Sequence, residues 1–506
     1  MGIPEEIRKV ERPANTVVVA YGKDKDKYAV RSRIGCRNID GRRVPVEGPI
    51  IGHIINGEYV PIDEKQRVSE SPVDIKDWAN IEFVTYCSSD LLDELCEVYH
   101  RDDALKLYCM AVLRVCYHGI KDDELKDAYD NSFLSEMYPG VALSRNTVSE
   151  FHKDVGKTYS KIVEYMRKRV AKLQESHHLV IDGTLKSDES TVNSLSNYSR
   201  KARTKDARDI SVLYAYDVET REPVCSKIYP GNMLDIVAFK DFLNTNRISK
   251  GLIIADKGST IKASNQVFAD NPELHYLLPL KRDAALIDHY EMYQFEMSLD
   301  GNPQIICRKA KINNERKWLY SFRDATKAAN EEYAYLQKNK DDYDPKDHEA
   351  RREEFGTIVF ESDYDCPCEL IYKAYEERWL IEMVFRYYKD VNEFDETRVH
   401  SDYSVISSEF VCFLSSIISC RILKRFDSAK SLDNLSYGKS MAVLERAKKV
   451  RIDGKWNLVR LTVKDSEILT DLGLIPDIIT VKNPRGRPRK SKPRSWYSYT
   501  IWESLI

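Results

Sequence analysis

Hydrophobic residues change their spacing several times along this chain, and each change marks a different kind of element. Between residues 16 and 62 apolar and polar positions alternate, broken by glycine and proline, as in Val17-Val18-Val19-Ala20-Tyr21 and Pro49-Ile50-Ile51-Gly52. Alternation with period two predicts strands, so residues 1–75 read as an N-terminal β-rich segment. From 76 to 175 the spacing becomes helical, with Leu91, Leu92, Leu95, Val98 and Tyr99 on one stripe and Leu105, Tyr108, Val112, Leu113 and Cys116 on the next. Within it Ser144 caps a short amphipathic stretch, which fits either the recognition helix of a helix-turn-helix or an ordinary capped helix.

A third texture starts near residue 176. Leu179-Val180-Ile181 is a short apolar run ending at Asp182, and Leu252-Ile253-Ile254-Ala255 is another ending at Asp256. Ile210–Tyr216 and Pro223–Tyr229 read as strands, Asp235–Leu243 as a helix, and Tyr276–Leu280 as a further strand. Three strands, a helix, a strand, a helix and a strand imply an α/β sheet whose first three strands are joined by hairpins. Carboxylates at strand ends then sit where such sheets place ligands. Residues 283–355 interrupt the pattern as an insertion, β-rich over Tyr293–Phe322 and charged and helical over Arg323–Glu354. Gly356–Phe360 resumes the sheet, a long helix follows over about 369–391, and an apolar helix spans roughly Ser408–Leu423. The expected organisation is a β-rich segment (1–75), a helical region suited to binding DNA ends (76–175), a catalytic domain (176–282 and 356–425) split by the insertion, and a C-terminal region (426–506).

Composition narrows the class. A chain of 506 residues with 42% hydrophobic and 31% charged positions folds, and is long enough for two to four domains. The net charge of -3 confines any nucleic-acid binding to local basic patches. The polar start, Met1–Pro13, lacks the apolar core of a signal peptide, and Phe410–Ile418 is too short to span a bilayer. The expectation is a cytoplasmic protein with no membrane partner, its eleven cysteines reduced. Cys366 and Cys368 lack the second pair of a zinc site, and no phosphate-binding loop of the kinase or nucleotide-hydrolase kind is present.

The most informative stretch runs from Tyr375 to Lys389. On a helix, Tyr375, Arg378, Glu382 and Lys389 fall within an arc of about 60°, with Leu380, Ile381, Met383 and Val384 mostly opposite. One acid among two cations and a phenol suits a metal-and-phosphate site, although a solvated face of ion pairs has the same look.

The spacing Y-x2-R-x3-E-x6-K resembles the YREK branch of bacterial and archaeal insertion-sequence transposases, insertion-sequence family four. Asp182-Gly183-Thr184, Asp256-Lys257-Gly258-Ser259, the Tyr229-Pro230-Gly231-Asn232 turn and the long interval from Asp256 to Glu382 agree with it in order. The likeness covers roughly residues 176–425. It implies an RNase H-like catalytic domain with a β-rich insertion. It also implies a DDE transposase that cuts DNA at terminal inverted repeats and joins the 3′-OH ends to a target. Asp182, Asp256 and Glu382 would hold two Mg²⁺ ions (Mn²⁺ as substitute), Asp182 bridging them. Three acids converging on one ion pair is what in-line phosphoryl transfer requires. Tyr375, Arg378 and Lys389 would contact phosphates of the transposon end, and the partners would be double-stranded DNA and a second copy of the chain. An RNase H-like nuclease that cuts without joining shares the three acids, and a domesticated DNA-binding protein shares the fold.

Other basic features are less specific. Arg485-Gly486-Arg487-Pro488 resembles an AT-hook, with Arg485 and Arg487 fitted to a narrow minor groove, although a plain basic tail has the same composition. Arg200–Lys205 reads as a loop that either touches DNA or is simply solvated, and Arg167-Lys168-Arg169 as a solvated helical face. Trp318 fits a core tryptophan better than a base-stacking one. His177 and His178 have no ligand-like companions at helical spacing and are given no role.

Overall fold

The alternating N-terminal segment forms an antiparallel meander, β1 (Thr16–Tyr21), β2 (Lys27–Ile39), β3 (Arg42–Ile55) and β4 (Glu58–Pro61), in that order across the sheet. Its small core is Val18, Val30 and Ile54. The computed structural model describes residues 3–21, 27–39, 42–61, 74–188, 190–198, 208–254, 265–313, 315–378, 381–382, 399–432 and 435–476.

A short strand, β5 (Ile75–Asp77), opens the rest of the chain and pairs antiparallel with Lys448, Lys449 and Val450. Helices follow over Ala79–Cys96, Arg101–Cys116, Leu125–Asp130, Leu134–Met137, Arg145–Lys157 and Tyr159–Val170. They pack around the helix Asp402–Phe426, where Phe83 stacks on Phe426 at 5.4 Å and Tyr99 on Phe410 at 6.1 Å. That helix is long and apolar enough to cross a membrane, but 89% of its most apolar window is buried inside the protein. On its other side it meets the sheet, with Tyr214 against Phe413 at 5.9 Å. One buried cluster therefore runs from the helical region into the catalytic sheet.

The close approach of Arg145–Lys157 to Asp402–Phe426 depends on Gly156, where an added Cβ would lie 1.9 Å from the Tyr403 carbonyl oxygen. Alanine normally stabilises a helix interior by about 1 kcal/mol over glycine, but here the obstacle is backbone. Gly156→Ala is therefore expected to destabilise by about 1–3 kcal/mol. Gly438→Ala, with nothing within 4 Å of its added Cβ, should leave thermal melting unchanged or raise it.

Asp122 also ties this region together. Arg114 Nη2 donates to it at 3.0 Å, and the fully buried His152 lies 3.3 Å away with its other ring nitrogen 2.9 Å from Ser407 Oγ. Burial alone would raise the Asp122 carboxyl, but His152 and Arg114 outweigh it and hold the group well below the usual carboxylate range. A depressed folded-state pKa gives stability that is present above the unfolded value and lost as pH falls. Asp122→Asn should thus lower the melting temperature at pH 7, with the gap to wild type narrowing below pH of about 4.

The main sheet has ten strands among the described residues. Its centre is β6 (His178–Ser187), β7 (Asn197–Tyr198), β8 (Arg208–Asp217), β9 (Glu222–Pro230), β10 (Lys250–Ile254) and β11 (Glu273–Pro279). β8 pairs antiparallel with both β6 and β9, while β10 runs parallel to both β6 and β11. Apart from two-residue β7, the spatial order β9-β8-β6-β10-β11 is that of the expected RNase H-like domain, with helix Asp235–Asn246 between β9 and β10. The insertion supplies β12 (Met297–Leu299), β13 (Asn302–Lys311) and β14 (Trp318–Asp324), then helices Ala325–Lys338 and Pro345–Arg351. These strands lengthen the same sheet, because β15 (Thr357–Ser362) pairs with β14 on one side and β11 on the other.

Two expectations need correction. The β6 strand does not end at Asp182; it runs on to Ser187, paired with β8 throughout. Its later polar residues are held by partners from elsewhere, above all Lys186 by Glu409. Arg169 is not on a solvated face: its side chain is 10% exposed, 2.7 Å from Glu94 and 3.2 Å from Glu222, and a guanidinium so placed clasps two acids instead of facing water.

Candidate active site

Strand geometry fixes where Asp182 points. Side chains two apart share a face, so Asp182 shares the face of Val180, which is buried in a cluster with Ile254, Phe360, Ile371, Ala374 and Ile381. Asp182 is half-buried, and the N–H of Gly183 donates to its Oδ1 at 2.8 Å. In the register Tyr214 stands opposite it, and burial pushes that phenol's pKa up.

The helix Cys368–Glu377 covers the same face, burying Cys368, Ile371, Tyr372 and Ala374. Proline at its N-cap and the acidic Glu369 in its first turn suit a helix start. Beyond it Ile381 is buried in that cluster and Glu382 is exposed, its Oε1 3.8 Å from Arg378 Nη2. Glu382 thus stands one residue from an apolar anchor shared with β6 and β10.

Asp256 lies outside the described residues, as do Lys389, Arg485, Arg487 and the Arg200–Lys205 segment. The described part of β10 still carries information. Ile254 pairs in parallel with Val180, and in the sequence Asp256 follows Ile254 by the same two residues that separate Asp182 from Val180.

Tyr375 is placed differently from a freely presented phenol. Its half-buried ring packs on Phe360 at 5.0 Å with Lys327 Nζ 5.9 Å from its centroid. Trp318 sits half-buried at the start of β14 with Lys311 Nζ 5.7 Å from its ring. Cys366 and Cys368 are buried free thiols.

Sequence reasoning gave His177 no role, yet its ligand atoms and those of Asp217 and Glu219 lie within 4.8 Å of one another, a spacing that could hold a metal ion. The strand pairing of β6 with β8 creates the group, which no helical spacing could reveal. It lies roughly 15 Å along β6 from Asp182 by strand rise. Its oxygens already have donors. His177 Nδ1 is 2.9 Å from Asp217, Thr220 Oγ1 donates to Asp217 at 2.8 Å, and the His178 N–H donates to Glu219 at 2.7 Å. Burial raises the Asp217 carboxyl, whereas Glu219, despite partial burial, is held low by His178. This is a polar clasp at the mouth of the β6–β8 pair.

Comparison with known families decides the class. Residues 174–412 match the family described as "Transposase DDE domain". That stretch, a little under half of the chain, is similar to a transposase DDE domain. By class it is a transposase, an enzyme acting on DNA. The matched region takes in β6 to β15, the helix Cys368–Glu377 and Glu382. A cryo-EM structure of the piggyBac transposase synaptic complex with hairpin DNA aligns with 83% of this chain and 90% of its own, at 13% identity and a TM-score of 0.37. No curated protein was found to match.

Proposed function

We propose that this transposase cuts DNA at the terminal inverted repeats of its own element and joins the freed 3′-OH ends to target DNA, with Asp182, Asp256 and Glu382 as its catalytic carboxylates. One observation carries the reading: Val180, Ile254 and Ile381, from two strands and a helix far apart in sequence, share a buried cluster, and each precedes one of the three acids by one or two residues.

The donor set fits Mg²⁺, or Mn²⁺ in its place, since carboxylate oxygens are the ligands such hard ions take. Two ions held by the three acids would stabilise the attacking and leaving oxygens of an in-line displacement. The chain's own residues prepare the place. The Gly183 N–H orients the Asp182 carboxylate, the exposure of Glu382 leaves it open to DNA, and Arg378 beside it brings a positive charge to a phosphate. Tyr375 and Lys389 complete the contacts to the end. The substrate is double-stranded DNA, two ends being handled by a homodimer, with Arg485 and Arg487 adding minor-groove affinity. Work on chromosomal DNA places the protein in the cytoplasm with the nucleoid.

The test is a supercoiled plasmid carrying the sequences that flank the gene, incubated with purified protein and Mg²⁺ or Mn²⁺. Nicks at the 3′ ends and end-to-target joints are expected. Nicks without joints would favour a nuclease, and binding without nicks a domesticated protein.

A further inference from the structure

A cavity of about 520 Å³ opens where the helices Arg101–Cys116, Arg145–Lys157 and Asp402–Phe426 meet the far end of β6. We propose that it is a phosphate-binding site, and that the phosphate it takes belongs to a single DNA strand leading away from the catalytic carboxylates; the second half of this rests on the function proposed above.

Charge is the first argument. Two deeply placed cations line the cavity and are matched at short range: Arg114, 7% exposed, by Asp122, and Lys186, 3% exposed, by Glu409. Lys121, Arg145 and Lys153 also line it, and among the described residues none of these three is in an ion pair. The remaining lining carboxylate is Asp123, so three exposed cations face one acid and two positive charges are left over.

Backbone dipoles add to this. The helices Arg145–Lys157 and Asp402–Phe426 both begin at the cavity, through Arg145 and Ser149 on one and Ser401, Ser404 and Ser408 on the other. A helix N-terminus favours an anion, and two converge here. The acid in the first turn of the second helix, Asp402, is taken up by Ser194, whose N–H and hydroxyl each donate to it at 2.7 Å.

Size and position select the ligand. The volume is within the range of roughly 300–1,000 Å³ typical of small-ligand pockets, enough for a nucleotide and too little for a duplex. Lys186 is four residues along β6 from Asp182 on the same face, roughly 13 Å by strand rise. An extended strand covers that distance in a few nucleotides, so the strand cut at the carboxylates reaches this cavity without leaving the sheet face.

The test uses the full chain in EDTA, titrated with a fluorescent 5′-phosphorylated pentanucleotide, with inorganic phosphate as competitor. Arg145→Glu and Lys153→Glu, both on the exposed rim, should each weaken binding on the order of tenfold, with melting temperatures unchanged. Lys168→Glu, on the helix Tyr159–Val170 and not among the residues lining the cavity, should leave it unaltered. Equal affinity in the Arg145→Glu/Lys153→Glu double variant, or an equal loss with Lys168→Glu, overturns the site. Displacement by inorganic phosphate together with no difference between phosphorylated pentanucleotide and phosphate alone keeps the anion site and overturns the strand. If the rim variants weaken binding while wild type never nicks its own ends, the cavity stands and the transposition reading falls.

Discussion

The Asp182→Asn protein will bind DNA carrying the element's ends and nick it at least about a thousandfold more slowly than wild type. Asp256→Asn and Glu382→Gln should behave alike. Each exchange keeps shape and removes one anionic oxygen ligand. The fold has little reason to change. An asparagine oxygen at 182 can still accept the Gly183 N–H, and Glu382 is an exposed side chain, where substitutions usually cost within about 0.5 kcal/mol. Lost nicking with retained end binding and retained melting therefore reports chemistry, not unfolding. Plasmid relaxation on a gel and a band-shift on the same preparation suffice, and full nicking by any one of the three variants would remove that residue from the site.

The largest expected loss of stability comes from Glu409→Leu. Lys186 and Glu409 are each 3% exposed and hydrogen-bonded to one another. Removing the acid leaves an ammonium in the interior without that carboxylate, which costs about 3–5 kcal/mol. Replacing both, as Lys186→Met with Glu409→Leu, takes away the charge as well as its partner and should recover most of the loss. Thermal melts of wild type, single and double variants decide it. A double variant as unstable as the single one would show that packing at 409, and not the stranded charge, is what matters.

How far the sequence could be read depended on whether the deciding interaction is local. The strands β8, β9, β10 and β11 and the helix after β9 were legible because their burial follows the apolar pattern. The length of β6 was not, since Asp182, Gly183, Thr184 and Lys186 look like the end of an apolar run. Lys186 is buried against Glu409, which meets it from 223 positions away. Arg169 misled for the same reason, its acids coming from two separate elements. Within the proposed site, spacing singled out Asp182 and Glu382, whose catalytic role is the proposal made above. It could not show that Tyr375 packs against Phe360, or that β10 aligns Ile254 with Val180. Both follow from tertiary register, which a one-dimensional pattern does not carry.

The way the insertion joins the sheet has an evolutionary corollary. Since β14 covers one side of β15, a descendant that shed β12 to β14 would bare a row of unsatisfied main-chain donors and acceptors, inviting self-association. Shortened versions of this enzyme would have to blunt β15 with charge or proline, or lose it too, so the insertion is not a cassette that lineages could discard freely.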